Sequence, residues 1–296
     1  MIALVVACVL VVLLVPATAE AATRSERAVE RGVAYLLDQQ VTGGGFAEAG
    51  GRADPSLTAW VILGLRASGR TDDATNSRLA SAGRYLAGSP HRTLTGLELK
   101  IMALAASGQP VAALVDELRA AIRPSGQIGP ALNSTFWGVL ALSSAGERVP
   151  ASTVRFIRSS QHRSGGFSWF AGGRPDTNDT AAAIQALIAA GLPATARPIR
   201  RALRYLSRQR KSNGGFPLSR GGRPDAQSAA WVLQAHAAVG RKEPRKTRRF
   251  LLKLQHKGGR VRYQPGRTIS PVWVTSQAVV GLAKAPFPLT SFFGNS

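Results

Sequence analysis

Two hydrophobic patterns alternate along the chain. In RAVERGVAYLLDQQ (27–40), ASTVRFIRSSQ (151–161), RPIRRALRYLSRQ (197–209) and RKTRRFLLKLQ (245–255), apolar residues return every three or four positions, with charged residues between them. That spacing predicts helices with one face in water. In TAWVILGLRAS, LKIMALAAS, TFWGVLALSSA, TAAAIQALIAA, AAWVLQAHAAV and SQAVVGLAK the apolar residues run almost all the way round. A helix without a polar face is buried on every side.

A period organises the two patterns. Gly69, Gly108, Gly146, Gly191 and Gly240 each close an apolar run, at intervals of 39, 38, 45 and 49 residues. Glycine in that place suits a left-handed helix C-terminus. Nine residues before these glycines stand Trp60, Leu99, Trp137, Ala182 and Trp231. Six helix pairs follow, at about 24–69, 70–108, 109–146, 147–191, 192–240 and 241–284. An open stack of repeats needs polar end units. The first pair has none and the last runs into APFPL, so the expected architecture is a closed ring, buried helices inside and amphipathic helices outside.

The link between the helices of a pair is itself repeated: TGGGFAEAGGRADPSLTAW (42–60), HRSGGFSWFAGGRPDTNDTAA (162–182) and SNGGFPLSRGGRPDAQSAAW (212–231). Tyr35, Gln40 and Phe46, then Phe156, Gln161 and Phe167, then Tyr205, Gln209 and Phe216 spell an aromatic, a glutamine and Gly-Gly-Phe; Phe250, Gln255 and Gly258-Gly259 spell a shorter version. This series resembles the Gln–aromatic repeat of the prenyltransferase and squalene-cyclase group. The resemblance covers the chain from the first helix pair to the last, although the second and third units match only in helix pattern. It implies an all-α fold, an (α/α)6 toroid.

The resemblance also frames the candidate chemistry. Class II terpene cyclases protonate their substrate from the middle aspartate of Asp-x-Asp-Asp-Thr-Ala. Here the segment is Asp176-Thr177-Asn178-Asp179-Thr180-Ala181, so an amide, Asn178, replaces the donor. Protein prenyltransferases hold zinc with Asp, Cys and His. The single cysteine here is Cys8, and His91, His162, His236 and His256 have no metal-ligand spacing. No metal and no cofactor is expected. Asp54, Asp176 and Asp225 recur at the start of buried helices, where a carboxylate caps free N–H groups. The catalytic expectation is therefore none, with Asp176 and Asp179 as the pair to carry chemistry if any occurs. Trp60, Trp137, Asn178, Asp179, Trp231, His236 and Trp273 are the candidates to line a central ligand cavity, with core packing as the alternative for the tryptophans and the histidine.

Charge adds a second theme. Residues 1–191 hold 17 Lys and Arg against 14 Asp and Glu, whereas residues 192–296 hold 21 against 2. Codon bias explains arginine over lysine but not this loss of acids. Arg52, Arg174 and Arg223, which precede the capping aspartates, and Arg245, Lys246, Arg248 and Arg249 form a candidate basic mouth or patch for an anionic lipid or wall polymer. No aromatics interleave with these cations, so nucleic acid is not an expected partner. Residues 2–15 are wholly apolar, and Pro16 and an Ala17-Thr18-Ala19 site follow, as in a signal peptide or anchor. The expected layout is thus a signal segment at 1–22, one toroid at 23–284 and a C-terminal tail at 285–296. The reading as a whole is a secreted, non-catalytic toroid of a bacterial envelope that binds an apolar, isoprenoid-like molecule or an anionic envelope component. The alternative is a cyclase-like or prenyl-transferring enzyme.

Overall fold

The computed structural model describes residues 23–289; the expected signal segment and Cys8 lie outside them. Twelve helices are present among the described residues: α1 (Arg24–Leu37), α2 (Pro55–Ala67), α3 (Asp73–Gly88), α4 (Leu94–Ala105), α5 (Ala112–Ala120), α6 (Leu132–Ser144), α7 (Ala151–Ser159), α8 (Thr177–Ala189), α9 (Arg197–Gln209), α10 (Ala226–Ala238), α11 (Arg245–Leu254) and α12 (Pro271–Leu282). None is long and apolar enough to cross a membrane. The even-numbered helices pack side by side in the order α2, α4, α6, α8, α10 and α12, and α12 returns to α2. The odd-numbered helices lie outside them. The fold is the all-α toroid of helix pairs.

The sequence explains the joints. Gln40 donates from Nε2 to the carbonyls of Gly44 (2.8 Å) and Arg78 (2.9 Å). Gln161 does the same to Gly165 and Pro198, both at 2.9 Å. Gln255 donates to Gly259 (3.0 Å) and, across the closure, to Ala28 (2.7 Å). Each glutamine thus holds its own turn and the outer helix of the next unit. The glycine in the turn is required for two reasons. Gly259 has φ +91°, and a Cβ there would lie 2.0 Å from the Arg31 carbonyl oxygen. Gly44, Gly126, Gly165 and Gly214 make equivalent approaches to Ser81, Ser152, Arg201 and Lys246. The fifth unit departs from the sequence reading: the residue six before Phe216 is Arg210, and Gln209 ends α9 instead.

The inner helices start at one face of the ring. Asp54, Asp176 and Asp225 are N-caps there, accepting from Leu57 (2.7 Å), Asp179 (2.8 Å) and Ser228 (2.7 Å). The loops before α8 and α10 also reach the start of the preceding inner helix. The Trp169 carbonyl accepts from Asn133 N–H at 3.0 Å, and that of Leu218 from Thr177 N–H at 2.9 Å. Glu48 closes the circuit by accepting the Val272 and Trp273 N–H groups, both at 3.0 Å.

Candidate functional site

Between the first turns of α6 and α8 the mouth carries a carboxyl pair. Asp176 caps α8, and Asp179 lies one turn on, 3% exposed. The Asn133 amide donates to Asp179 Oδ1. Burial, followed by the hydrogen bond and charge of Asp176, pushes Asp179 up to about 8, against the smaller opposing effect of Asn133. Burial also raises Asp176. Two carboxyls this close cannot both ionise cheaply, so one proton is kept between them at neutral pH. Asn178, placed by sequence at the donor position, is half-buried, and its Oδ1 has no partner among the described residues. The group that holds the proton is its neighbour Asp179.

The loop above this pair is apolar and open. Trp169 is 52% exposed and Phe170 57%, with ring centroids 6.4 Å apart. Leu218, 43% exposed, hangs over the start of α8 from the next loop. Trp273, in the first turn of α12, is half-buried at the same face beside Glu48.

Deeper along the axis, three of the candidate tryptophans meet. Trp60 and Trp137 lie 5.6 Å apart, Trp137 and Trp231 5.3 Å, and Trp60 and Trp231 6.4 Å, all edge to face. Phe287 joins them, 6.3 Å from Trp60 and 6.0 Å from Trp231. It comes from the segment after α12, and its N–H donates to Gln185 Oε1 at 2.8 Å. The first residues of the expected tail therefore reach the axis. Trp231 Nε1–H donates to Gln277 Oε1 at 2.9 Å. His236 stands apart, in the last turn of α10 at the far end of the inner ring. Burial, then Arg241, lowers its pKa, and its Nδ1 has no partner among the described residues.

One buried acid escaped the sequence reading. Glu98, in α4, has both carboxyl oxygens buried and unpartnered among the described residues, and burial raises its pKa far above the ordinary range. It directly precedes Leu99, which holds the register position of the three tryptophans. The available signal was a glutamate inside a run otherwise suited to burial, LELKIMALA.

The basic candidates separate into groups. Arg52, Arg174 and Arg223 are exposed, and none forms an ion pair with the aspartate cap it precedes. Arg174 lines a cavity of about 600 Å³ with Tyr205, Arg208 and Arg220. Arg223 donates to the Pro265 carbonyl at 3.5 Å. Arg245 is exposed at the start of α11, whereas Arg248 pairs with Glu243 at 2.9 Å. Lys246 and Arg249 line a second cavity, of about 460 Å³. No three His, Cys, Asp or Glu among the described residues are grouped to hold a metal.

Known proteins share this architecture. Residues 130–267 match the family described as prenyltransferase alpha-alpha toroid domain. No curated protein matches the sequence. The type II terpene cyclase MstE from Scytonema superposes with a TM-score of 0.67 at 16% identity, over 88% of this chain and 98% of its own. A protein from Actinoplanes gives 0.67 at 18% identity, over 88% and 99%. A glycosidase solved with glucose gives 0.63 at 12% identity, over 88% and 96%. At these identities the likeness is one of fold, and the fold hosts more than one chemistry. The match over 130–267 and the superposition over 88% of the chain show that this protein has the alpha-alpha toroid fold and that its central part is similar to the prenyltransferase alpha-alpha toroid domain.

Proposed function

We propose that the toroid binds an apolar, isoprenoid-class molecule at the mouth formed by the inner-helix starts, and binds it without turnover. The observation that carries this reading is the exposed Trp169, Phe170 and Leu218 rim over the pair of half-buried Asp176 and buried Asp179. Contiguous exposed apolar patches mark ligand-binding grooves or interaction sites, whereas scattered single ones do not. The protonated pair beneath offers a neutral, hydrogen-bonding end to an otherwise apolar site. MstE, which shares the fold, has been solved with geranylgeranyl dihydroxybenzoate as substrate, which supports an isoprenoid ligand class. Asn178 in place of an acid supports binding rather than turnover.

One observation favours a second reading. Asp179 keeps a proton at neutral pH, as a general acid for alkene protonation must. In that case the proton moves from Asp179 to an alkene carbon, and the carboxylate left behind accepts from Asn133.

The test uses purified protein with geranylgeraniol and geranylgeranyl diphosphate. Quenching of tryptophan fluorescence that saturates, with the lipid recovered unchanged, is the expected result. Cyclised product that disappears in Asp179→Asn would replace the first reading with the second. No binding of either lipid would remove both. Residence outside the cytoplasm, in the envelope, belongs to the same proposal. Its check is the N-terminus of the protein isolated from the producing cell, expected to begin after residue 19 or 22.

A further inference from the structure

We propose that the cavity beside α11 is a binding site for a phosphate-class anion carrying two or more negative charges. Four cations line it, Lys246, Arg249, Lys253 and Arg262, together with Asn213 and Phe250, in about 460 Å³. The first three follow from helical spacing, since positions 246, 249 and 253 share one face of α11. Arg262 is brought in from the following loop, whose backbone N–H bonds to the Leu254 carbonyl at 3.0 Å.

No carboxylate answers these charges. Only Asp225 and Glu243 are acidic after residue 191. Asp225 is buried as the cap of α10, and Glu243 is held by Arg248 at 2.9 Å and Lys284 at 3.6 Å. None of the four cavity cations has an ion-pair partner among the described residues. Arg262 Nε is also buried without an acceptor among them. A charged donor removed from water and left unpaired is costly, so an acceptor entering the cavity beside it is stabilised. Two guanidinium groups match the edges of a tetrahedral oxyanion in a way that an ammonium cannot. The Asn213 side-chain oxygen accepts from Gly215 N–H at 3.0 Å, which leaves its amide N–H2 as a further donor.

A solvated charged face would show the same composition, but it would lack the concave shape, the buried Nε and the diversion of both acids elsewhere. The ligand could be a free anion such as diphosphate, or the phosphate of a lipid headgroup, and the experiment separates the two. Inorganic pyrophosphate is titrated calorimetrically into the full chain at 150 mM salt, where diffuse attraction is screened. In parallel, the protein is sedimented with phosphatidylcholine vesicles with and without phosphatidic acid. Lys246→Gln/Arg249→Gln removes two exposed cations of the cavity. Arg200→Gln/Arg204→Gln removes two exposed cations of α9 as a charge-matched control. One-to-one pyrophosphate binding that weakens at least tenfold in the cavity variant, and less than twofold in the control, supports a free anion. Capture only by phosphatidic acid vesicles, with the same variant pattern, supports a lipid phosphate. Absence of both, or equal loss in the two variants, overturns the site. Both variants lie on exposed helix faces, and an unchanged helical circular dichroism signal confirms that each is folded.

Discussion

At the scale of single residues, the Asp179 carboxyl makes a claim about pH. Its ordinary pKa is close to 4 and burial beside Asp176 lifts it to about 8 in the folded chain. Between those values the folded state holds a proton that the unfolded state has released. Its contribution to stability is therefore complete below about pH 4 and is lost as pH rises to about 8. The steepest slope one group can give is about 1.4 kcal/mol per pH unit. Asp179→Asn keeps an oxygen to accept from Asn133 and removes the titration. Thermal melts from pH 4 to 9 should show the variant gaining steadily on the parent chain as pH rises. Parallel curves would mean that Asp179 ionises normally. Asp225, raised by burial to about 6, adds a similar fall over a narrower window and remains in both proteins.

At the scale of elements, the repeated loop is a joint, and its glycines and glutamines have separate tasks. Gly259 and Gly221 have nearly the same φ, +91° and +88°, but a Cβ at Gly221 meets nothing within 4 Å, whereas one at Gly259 strikes the Arg31 carbonyl. Gly221→Ala should cost only the left-handed strain, about 1–2 kcal/mol. Gly259→Ala should cost about 1–3 kcal/mol more, for the clash at the closing joint. Equal losses in urea melts would mean that the joint yields easily. These joints were legible because only glycine satisfies both demands, so the chain repeats it. The capping aspartates were legible for the same reason. Gln209 was misleading: it stands four residues after its aromatic, where Gln40, Gln161 and Gln255 stand five, and the shift puts Arg210 in the stitching place. The Asn133–Asp179 bond and the burial of Glu98 left no such trace. They involve one residue in one unit, and a bond spanning 46 positions has no local pattern to announce it.

At the scale of the whole molecule, six inner helices leave an axis that something must fill, and only some of them supply large side chains. Leu99 and Ala182 hold the positions that are tryptophan in α2, α6 and α10. Three indoles from alternate helices of the ring meet edge to face, and Phe287, 2% exposed, packs against two of them from beyond α12. The segment after the last helix is therefore part of the core, and its backbone is bonded to Gln185 of α8 across the ring. Phe287→Ala should lower stability by about 3–5 kcal/mol, the usual cost of a phenylalanine-sized hole. The hole would be apolar and walled by Trp60 and Trp231, so it should bind a small hydrocarbon such as benzene that the parent chain rejects. Phe287→Leu refills most of the volume and should recover stability while losing the benzene site. If Phe287→Ala melts with the parent chain and takes up no benzene, the segment does not occupy the axis in solution, and the tryptophan cluster stands open at that end.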